Sequence, residues 1–147
     1  MKRKRPLPEK EFFDIYSKVT KLVVGLVIKN EKGILLTLRK KNGWINQWHI
    51  PGGIVHYREA IKDTVKRIAK EELGVDVSIK KILGYIEYFS EIEERGFGYT
   101  VGLVFSVDPE NNNFLEGDSK KVEFFKSLPE NTVQEEKVFL LDKKLAV

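Results

Sequence analysis

The chain has 147 residues and a mass of 17.0 kDa, a length that fits one domain with a real core and is too short for a two-domain enzyme. Hydrophobic residues make up 41% and charged residues 33% of it, which favours a folded globular domain over a disordered tail, and the net charge of +4 favours anionic partners without singling out nucleic acid. With no cysteine, a disulfide framework, a thiolate zinc site and a cysteine nucleophile are excluded, so any metal is expected on oxygen or histidine ligands.

Residues 1–8, MKRKRPLP, read as a basic, flexible, solvated arm with no assigned function. No apolar run approaches the roughly 18 residues of a membrane span, and Pro6 and Glu9 stand where a signal-peptide core would be, so a soluble cytoplasmic protein with no membrane partner is expected. From Pro8 to Lys18, with Phe12, Phe13, Ile15 and Tyr16 at helical spacing, a short docking helix is predicted. Lys21–Lys29 and Gly33–Arg39 are β-branched and leucine-rich, and the Asn30-Glu31-Lys32-Gly33 segment between them predicts a hairpin of two core strands. A polar loop over 40–47 encloses Trp44; apolar Trp48–Ile50 then runs into Pro51-Gly52-Gly53, which breaks the pattern.

Glu59–Leu73 is the clearest helix, ended by Gly74 where a left-handed cap is wanted. Asp76–Ser90 and Phe97–Val107 predict antiparallel strands joined by the charged loop Glu91–Gly96. After the turn-rich loop Asp108–Ser119, Lys121–Phe125 reads as a last strand and Val133–Leu141 as a last helix. This order predicts one α/β domain, a mixed β-sheet sandwiched between helices.

The central helix carries the chemistry. At about 100° per residue Ile61, Val65, Ile68 and Ala69 share a stripe that faces the core, and Glu72 falls within it. A carboxylate there needs a cation, a donor or water. Glu71 lies on the flank beside Arg67, and both glutamates oppose the partial negative charge of the helix C-terminus. A hard divalent cation such as magnesium offsets both penalties. The simpler reading pairs Arg67 with Glu71 at i, i+4 and lets Glu72 reach solvent; the residues alone leave both open. The Gly52-Gly53 pair just upstream lets backbone approach a ligand closely.

Gly53, five residues, Glu59, seven residues, Arg67, then Ile68-Ala69-Lys70-Glu71-Glu72-Leu73-Gly74-Val75 resembles the Nudix box, G-x(5)-E-x(7)-R-E-U-x-E-E-x-G-U with U aliphatic. The box spans 53–75, and Trp48–Gly53 and Val122–Leu128 also resemble the family's flanking strands, so the likeness covers most of the chain, read as a single domain over 1–147. The resemblance implies a Nudix α/β/α sandwich and hydrolysis of a nucleoside diphosphate linked to another moiety, with magnesium or manganese. It implies Glu71 and Glu72 as catalytic metal ligands, the Gly53 carbonyl completing the site, and Glu59 and Arg67 bracing the loop and helix.

One position departs. The box has glutamate after the arginine, where Ile68 stands here, which leaves two close glutamates for metal and the general base unassigned. Loss at this position, and the opening Leu7-Pro8-Glu9-Lys10-Glu11-Phe12, resemble the GDP-mannose mannosyl hydrolase branch and imply a nucleotide-sugar substrate. That branch's arginine after the glycines is Ile54 here and its catalytic histidine aligns near Tyr99, so its specificity is not carried over. His56, three residues before Glu59, has a pKa suited to base work and is the catalytic candidate, against a plain packing role. Glu116, Asp118, Glu91, Glu93 and Glu94 are further carboxylates, otherwise a solvated charge run. Arg39 and Lys40 are candidates for phosphate, with Arg67 carried as a second substrate-binding arginine; Trp44, Tyr57, Tyr88 and Phe97 offer stacking faces. The alternative function is a catalytically impaired Nudix-fold nucleotide- or RNA-binding protein. Nucleic acid is otherwise not expected as a partner, and the apolar first helix is read as a homodimer surface.

Overall fold

Strand β1 (Lys21–Val27) is apolar on both faces because both are covered: Val24 and Leu26 point into one core cluster and Val27 into the other. The structure, a computed structural model, describes residues 6–115 and 121–147. β1 lies inside a mixed sheet ordered β5 (Gly52–Ile54), β1, β7 (Thr100–Pro109), β6 (Val77–Glu87). It runs parallel to β7, from Lys21 opposite Thr100 to Val27 opposite Ser106, while the β5–β1 and β7–β6 pairs are antiparallel. A smaller antiparallel sheet joins β2 (Lys29–Asn30), β3 (Gly33–Leu38) and β4 (Trp48–His49), with β8 (Val122–Phe125) on the free side of β3.

Helix α2 (Ile61–Ile68) closes one face with Val65 and Ile68 against Val24, Leu26, Leu35 and Val107. Helix α4 (Gln134–Asp142) closes the other, placing Phe139 and Leu140 among Val27, Ile34, Leu36, Ile86 and Val104. Each of these fully buried aliphatic side chains contributes about 2 kcal/mol by leaving water. The result is the expected α/β sandwich with a mixed sheet. The β6–β7 pairing is as predicted, from Val77 opposite Pro109 to Glu87 opposite Val101. No described helix is long and apolar enough to cross a membrane.

Three local expectations are corrected. The predicted hairpin survives only at its tip, where Lys29 faces Ile34 and Asn30 faces Gly33; the body of β1 pairs elsewhere because the chain changes sheets at Ile28. Gly33 has φ +117°, and a Cβ there would collide with the Phe125 carbonyl, so both the turn and β8 require glycine. The charged segment after β6 is not a loop but the short helix α3 (Glu91–Arg95), organised around a buried Glu91.

The third correction concerns the central helix. It begins at Ile61, not Glu59, and its last turn, Ala69–Leu73, is π-helical, ending at Gly74 with φ 71°. A π turn holds one residue more than an α turn and therefore sets the helix register back by about one residue from that point on. Leu73 takes the core place that a regular helix would give to Glu72: Leu73 is fully buried and Glu72 half-buried. The Leu115 N–H donates to the Leu73 carbonyl at 2.9 Å, and its side chain occupies the space a Cβ on Gly74 would need.

The first helix, α1 (Glu9–Tyr16), has no buried residue. Its aromatic rings face its own chain: Phe12 lies near the Lys21 ammonium and the Arg95 guanidinium, and Phe13 packs on Phe97.

Candidate active site

The turn between β5 and α2 is held by a clamp. Arg67 donates from Nε to Glu59 Oε2 at 2.8 Å, from Nη2 to Glu59 Oε1 at 2.9 Å and to the Ile54 carbonyl at 2.7 Å, and from Nη1 to Glu71 Oε2 at 3.2 Å. Glu59 Oε1 also accepts from Thr64 Oγ1 at 2.7 Å and from the His56 N–H at 3.2 Å. One planar guanidinium thus ties the strand end, the connecting loop and the helix into one unit. The Arg67 hydrogen bonds, opposed by burial and aided by Thr64 and His56, hold the Glu59 carboxyl down at about 2.

The clamp borders a cleft of about 510 Å³. Of the predicted site residues, the cleft gathers Gly53, His56, Glu72 and Arg39, with Lys40 and the nearly fully exposed Tyr57 at the same cavity. Glu71 and Arg67 are not on its wall; they face each other within the clamp. Arg39 is fixed by hydrogen bonds from Nε to the Gly43 carbonyl and from Nη2 to the Asn42 carbonyl, and its guanidinium lies 5.2 Å from the Trp44 ring centre. Trp44 itself is buried and donates to Ser90 Oγ at 2.9 Å, so its ring is committed to packing.

Both histidines line the cleft. His49 Nδ1 lies 2.7 Å from the Ile50 carbonyl oxygen, which only accepts, so Nδ1 carries a proton; Nε2 lies 3.0 Å from Thr37 Oγ1. Among the remaining carboxylates, Glu91 is buried against the Lys21 ammonium at 2.9 Å and Thr100 Oγ1 at 2.6 Å, and Glu94 accepts from Gln47 at 3.3 Å. The charge run is solvated only in part. Tyr99 donates to Glu87 at 2.5 Å and Phe97 lies against Phe13, both away from the cleft wall. Glu116 and Asp118 lie outside the described residues.

Among the described residues, no group of three or more His, Asp or Glu side chains is arranged to hold a metal. The oxygen donors at hand are Glu72 and the Gly53 backbone on the cleft, with Glu71 next to them and partly taken up by Arg67. Ile68, where the box has a third carboxylate, is fully buried among Val65, Ala69 and Leu73. This donor set fits an ion such as magnesium, which keeps several waters and takes further ligands from substrate phosphates, and does not fit an all-protein cage.

A second, inner pouch of about 130 Å³ shares Lys21, Arg39, His49, Gly52, Gly53 and Arg95 with the cleft. Its far wall carries Tyr88, whose hydroxyl donates to Glu136 Oε2 at 2.7 Å, while Glu136 Oε1 accepts the Ile50 N–H at 2.7 Å. Burial pushes the Glu136 carboxyl up to about 7, against the lowering effect of those two donors and of Arg39. Sequence reasoning missed Lys21, Arg95 and Glu136. No periodicity marks them, since a lysine opening a strand and a glutamate pair opening a helix are both ordinary.

A braced glycine turn, a helix bearing paired glutamates and a cleft between them, on this sandwich, define the class of protein. The NUDIX domain family model matches residues 19–145; the chain belongs to this family and is a Nudix hydrolase. It is 36% identical over 117 residues to the low-salt glycan biosynthesis protein Agl8 of Haloferax volcanii, covering 78% of this chain and 74% of that one. It is 33% identical over 119 residues to an ADP-ribose pyrophosphatase of Methanocaldococcus jannaschii, covering 79% and 68%. Among solved structures, a MutT NUDIX hydrolase from Burkholderia pseudomallei superposes with a TM-score of 0.67 at 21% identity, over 84% of this chain and 98% of that one. A UDP-X diphosphatase gives 0.67 at 15% identity, over 94% and 71%. At these identities the structural likeness carries the fold alone.

Proposed function

We propose that the chain hydrolyses a nucleoside diphosphate linked to another moiety, a nucleotide sugar first among the candidates, with magnesium or manganese as cofactor. The observation that carries this reading is the convergence of Gly53, Glu72, His56 and Arg39 on one cleft of about 510 Å³. The altered box at Ile68, similar to that of the mannosyl hydrolase branch, favours the nucleotide sugar, and the names of the two curated relatives, a glycan biosynthesis protein and an ADP-ribose pyrophosphatase, point the same way.

In this reading Arg39 and Lys40 hold substrate phosphates at the mouth of the cleft. Glu72 and the Gly53 carbonyl would hold the ion, with Glu71 as the adjacent ligand. When bound, the metal neutralises charge on the pyrophosphate and lowers the pKa of water. Arg67 acts behind this constellation: its contacts to Glu59, Glu71 and the Ile54 carbonyl set the distance between turn and helix. His56, on the cleft wall, is the candidate general base of this reading.

The test is incubation with magnesium or manganese and a panel of nucleoside diphosphate sugars, ADP-ribose and nucleoside triphosphates, followed by phosphorus NMR. Turnover of diphosphate-linked substrates that vanishes in Glu72→Gln is expected, and the products separate sugar release from pyrophosphate cleavage. Turnover of triphosphates alone, or full activity in Glu72→Gln, overturns the proposal.

A further inference from the structure

The loop over 40–47 has an unusual backbone. Asn42, Gly43, Trp44 and Asn46 have φ of 63°, 83°, 47° and 61°. Glycine and asparagine enter this left-handed region readily, but a bulky tryptophan stays there only when its surroundings over-determine it. Those surroundings are identifiable. The Trp44 indole N–H donates to Ser90 Oγ at 2.9 Å, the Ser90 hydroxyl donates to Glu135 Oε1 at 2.9 Å, and the Ser90 N–H donates to Glu135 Oε2 at 2.7 Å. Because Glu135 takes the hydroxyl hydrogen, the lone pairs of Ser90 Oγ are left to face the indole. Among the described residues this is the one side-chain hydrogen bond that ties 40–44 to another element; Asn131 and Glu94 hold the return of the loop, at Asn46 and Gln47.

The other side of the loop meets the cleft, which Arg39, Lys40 and Asn42 line. Arg39 is oriented by the loop itself: Nε donates to the Gly43 carbonyl at 3.0 Å, Nη2 to the Asn42 carbonyl at 2.9 Å, and the guanidinium lies 5.2 Å from the Trp44 ring centre. The Gly43 carbonyl belongs to the peptide plane that the Trp44 φ orients, so turning Trp44 to an ordinary negative φ with its ring kept in the core would rotate that carbonyl away from Arg39. We infer that Ser90 and Glu135, neither of which lines the cleft, are positioning residues for its phosphate site: they hold Trp44 in the left-handed conformation, and Trp44 presents the carbonyl that aims Arg39. Arg39 thereby keeps its Nη1 hydrogens, which have no hydrogen-bond partner among the described residues, for the substrate. The inference rests on the cleft being the nucleotide site, and it deepens that reading by showing what sets the phosphate-binding wall from behind.

Inorganic pyrophosphate, titrated by calorimetry into the full chain without metal, is the probe. Ser90→Ala should weaken its binding roughly three- to tenfold, the contribution of one hydrogen bond, and Trp44→Phe, which keeps a ring but not the N–H, should do the same. The two together should weaken it no more than Trp44→Phe alone, since each removes one end of the same bond. A thermal melt identifies variants that are folded at the assay temperature, where a lower overall stability leaves the affinity of the folded molecules unchanged; Trp44→Phe carries the test if Ser90→Ala does not fold. In turnover of ADP-ribose or UDP-glucose the same change should raise KM and leave kcat, as loss of uniform phosphate binding does. Unaltered affinity in a folded single variant, effects that multiply in the double variant, or a fall in kcat at constant KM overturns the positioning role alone. The expected losses of affinity without any turnover support the positioning role and overturn the proposed reaction. No binding of pyrophosphate to the wild type overturns both.

Discussion

Glu59 and Glu136 are the same chemical group in two corners of one molecule, and the fold drives them in opposite directions. Glu59 meets a bidentate guanidinium and is held at about 2; Glu136 meets only a phenol hydroxyl and a backbone N–H, is buried, and rises to about 7. Both carboxylates have a hydrogen-bond partner on each oxygen. Glu59 accepts four hydrogen bonds, two of them from a guanidinium, and Glu136 accepts two from neutral donors; the full positive charge in direct contact at Glu59 and the deeper burial of Glu136 set them apart. Around the clamp one guanidinium meets two carboxylates directly, whereas the lining of the inner pouch brings Lys21, Arg39 and Arg95 together with Glu91 and Glu136.

The comparison is broken most severely by giving a carboxylate neither cation nor donor. Ile68→Glu puts one into the core beside Val65 and Leu73 and is expected to cost about 4 kcal/mol. Urea unfolding at pH 7 measures it, and a loss under about 1 kcal/mol would show that the helix can turn this position towards the cleft. Arg67→Met comes next. It strips Glu59 and Glu71 of their common partner and should cost about 3 kcal/mol. Its pH signature is equally specific: the stabilisation from Glu59, complete above the ordinary value of 4.5 and lost as pH falls towards 2, should be missing from the variant's unfolding curve between those limits.

Glu136→Gln probes the opposite sign. A carboxyl raised from 4.5 to about 7 favours the folded state below 4.5 and loses that advantage as pH rises through 7. Wild type should therefore lose roughly 3 kcal/mol relative to Glu136→Gln between pH 4.5 and 8, read from paired unfolding curves; parallel curves would mean that burial leaves the Glu136 carboxyl where it titrates in the unfolded chain. The smallest effect is that of Tyr88→Phe, which removes one donor and should cost about 1 kcal/mol at pH 8. At pH 5, where Glu136 is protonated and is itself a donor, the cost should shrink.

The contrast between the corners also explains what the sequence disclosed. Of the clamp, the Arg67–Glu71 pair was legible from its i, i+4 spacing, while Glu59 as its partner was implied only by the resemblance to the Nudix box. The core strands and the β6–β7 pair were legible from their apolar runs, since burial imposes the pattern directly. The inner pouch was not. Lys21, Arg39, Tyr88, Arg95 and Glu136 come from five places along the chain and meet only through tertiary packing. Nor did the 3.6-residue period anticipate the π turn, because Leu73 entering the core in place of Glu72 depends on what packs below it. Helix α3 escaped for a similar reason: its charged sequence folds around Lys21 and Thr100, which lie at the starts of other strands.

The π turn has a consequence for insertions and deletions. A surface loop such as 40–47 changes length by moving its own backbone, but the segment 69–73 works as a counted spacer between the core helix and Gly74. Straightening this turn into a regular helix with all five residues kept would swing the Glu72 side chain inward and turn Leu73 out to water, whereas deleting one residue ahead of Glu71 would absorb the π turn and leave Leu73 in its core place. In this segment the tally of residues, as much as their identity, decides which side chain enters the core.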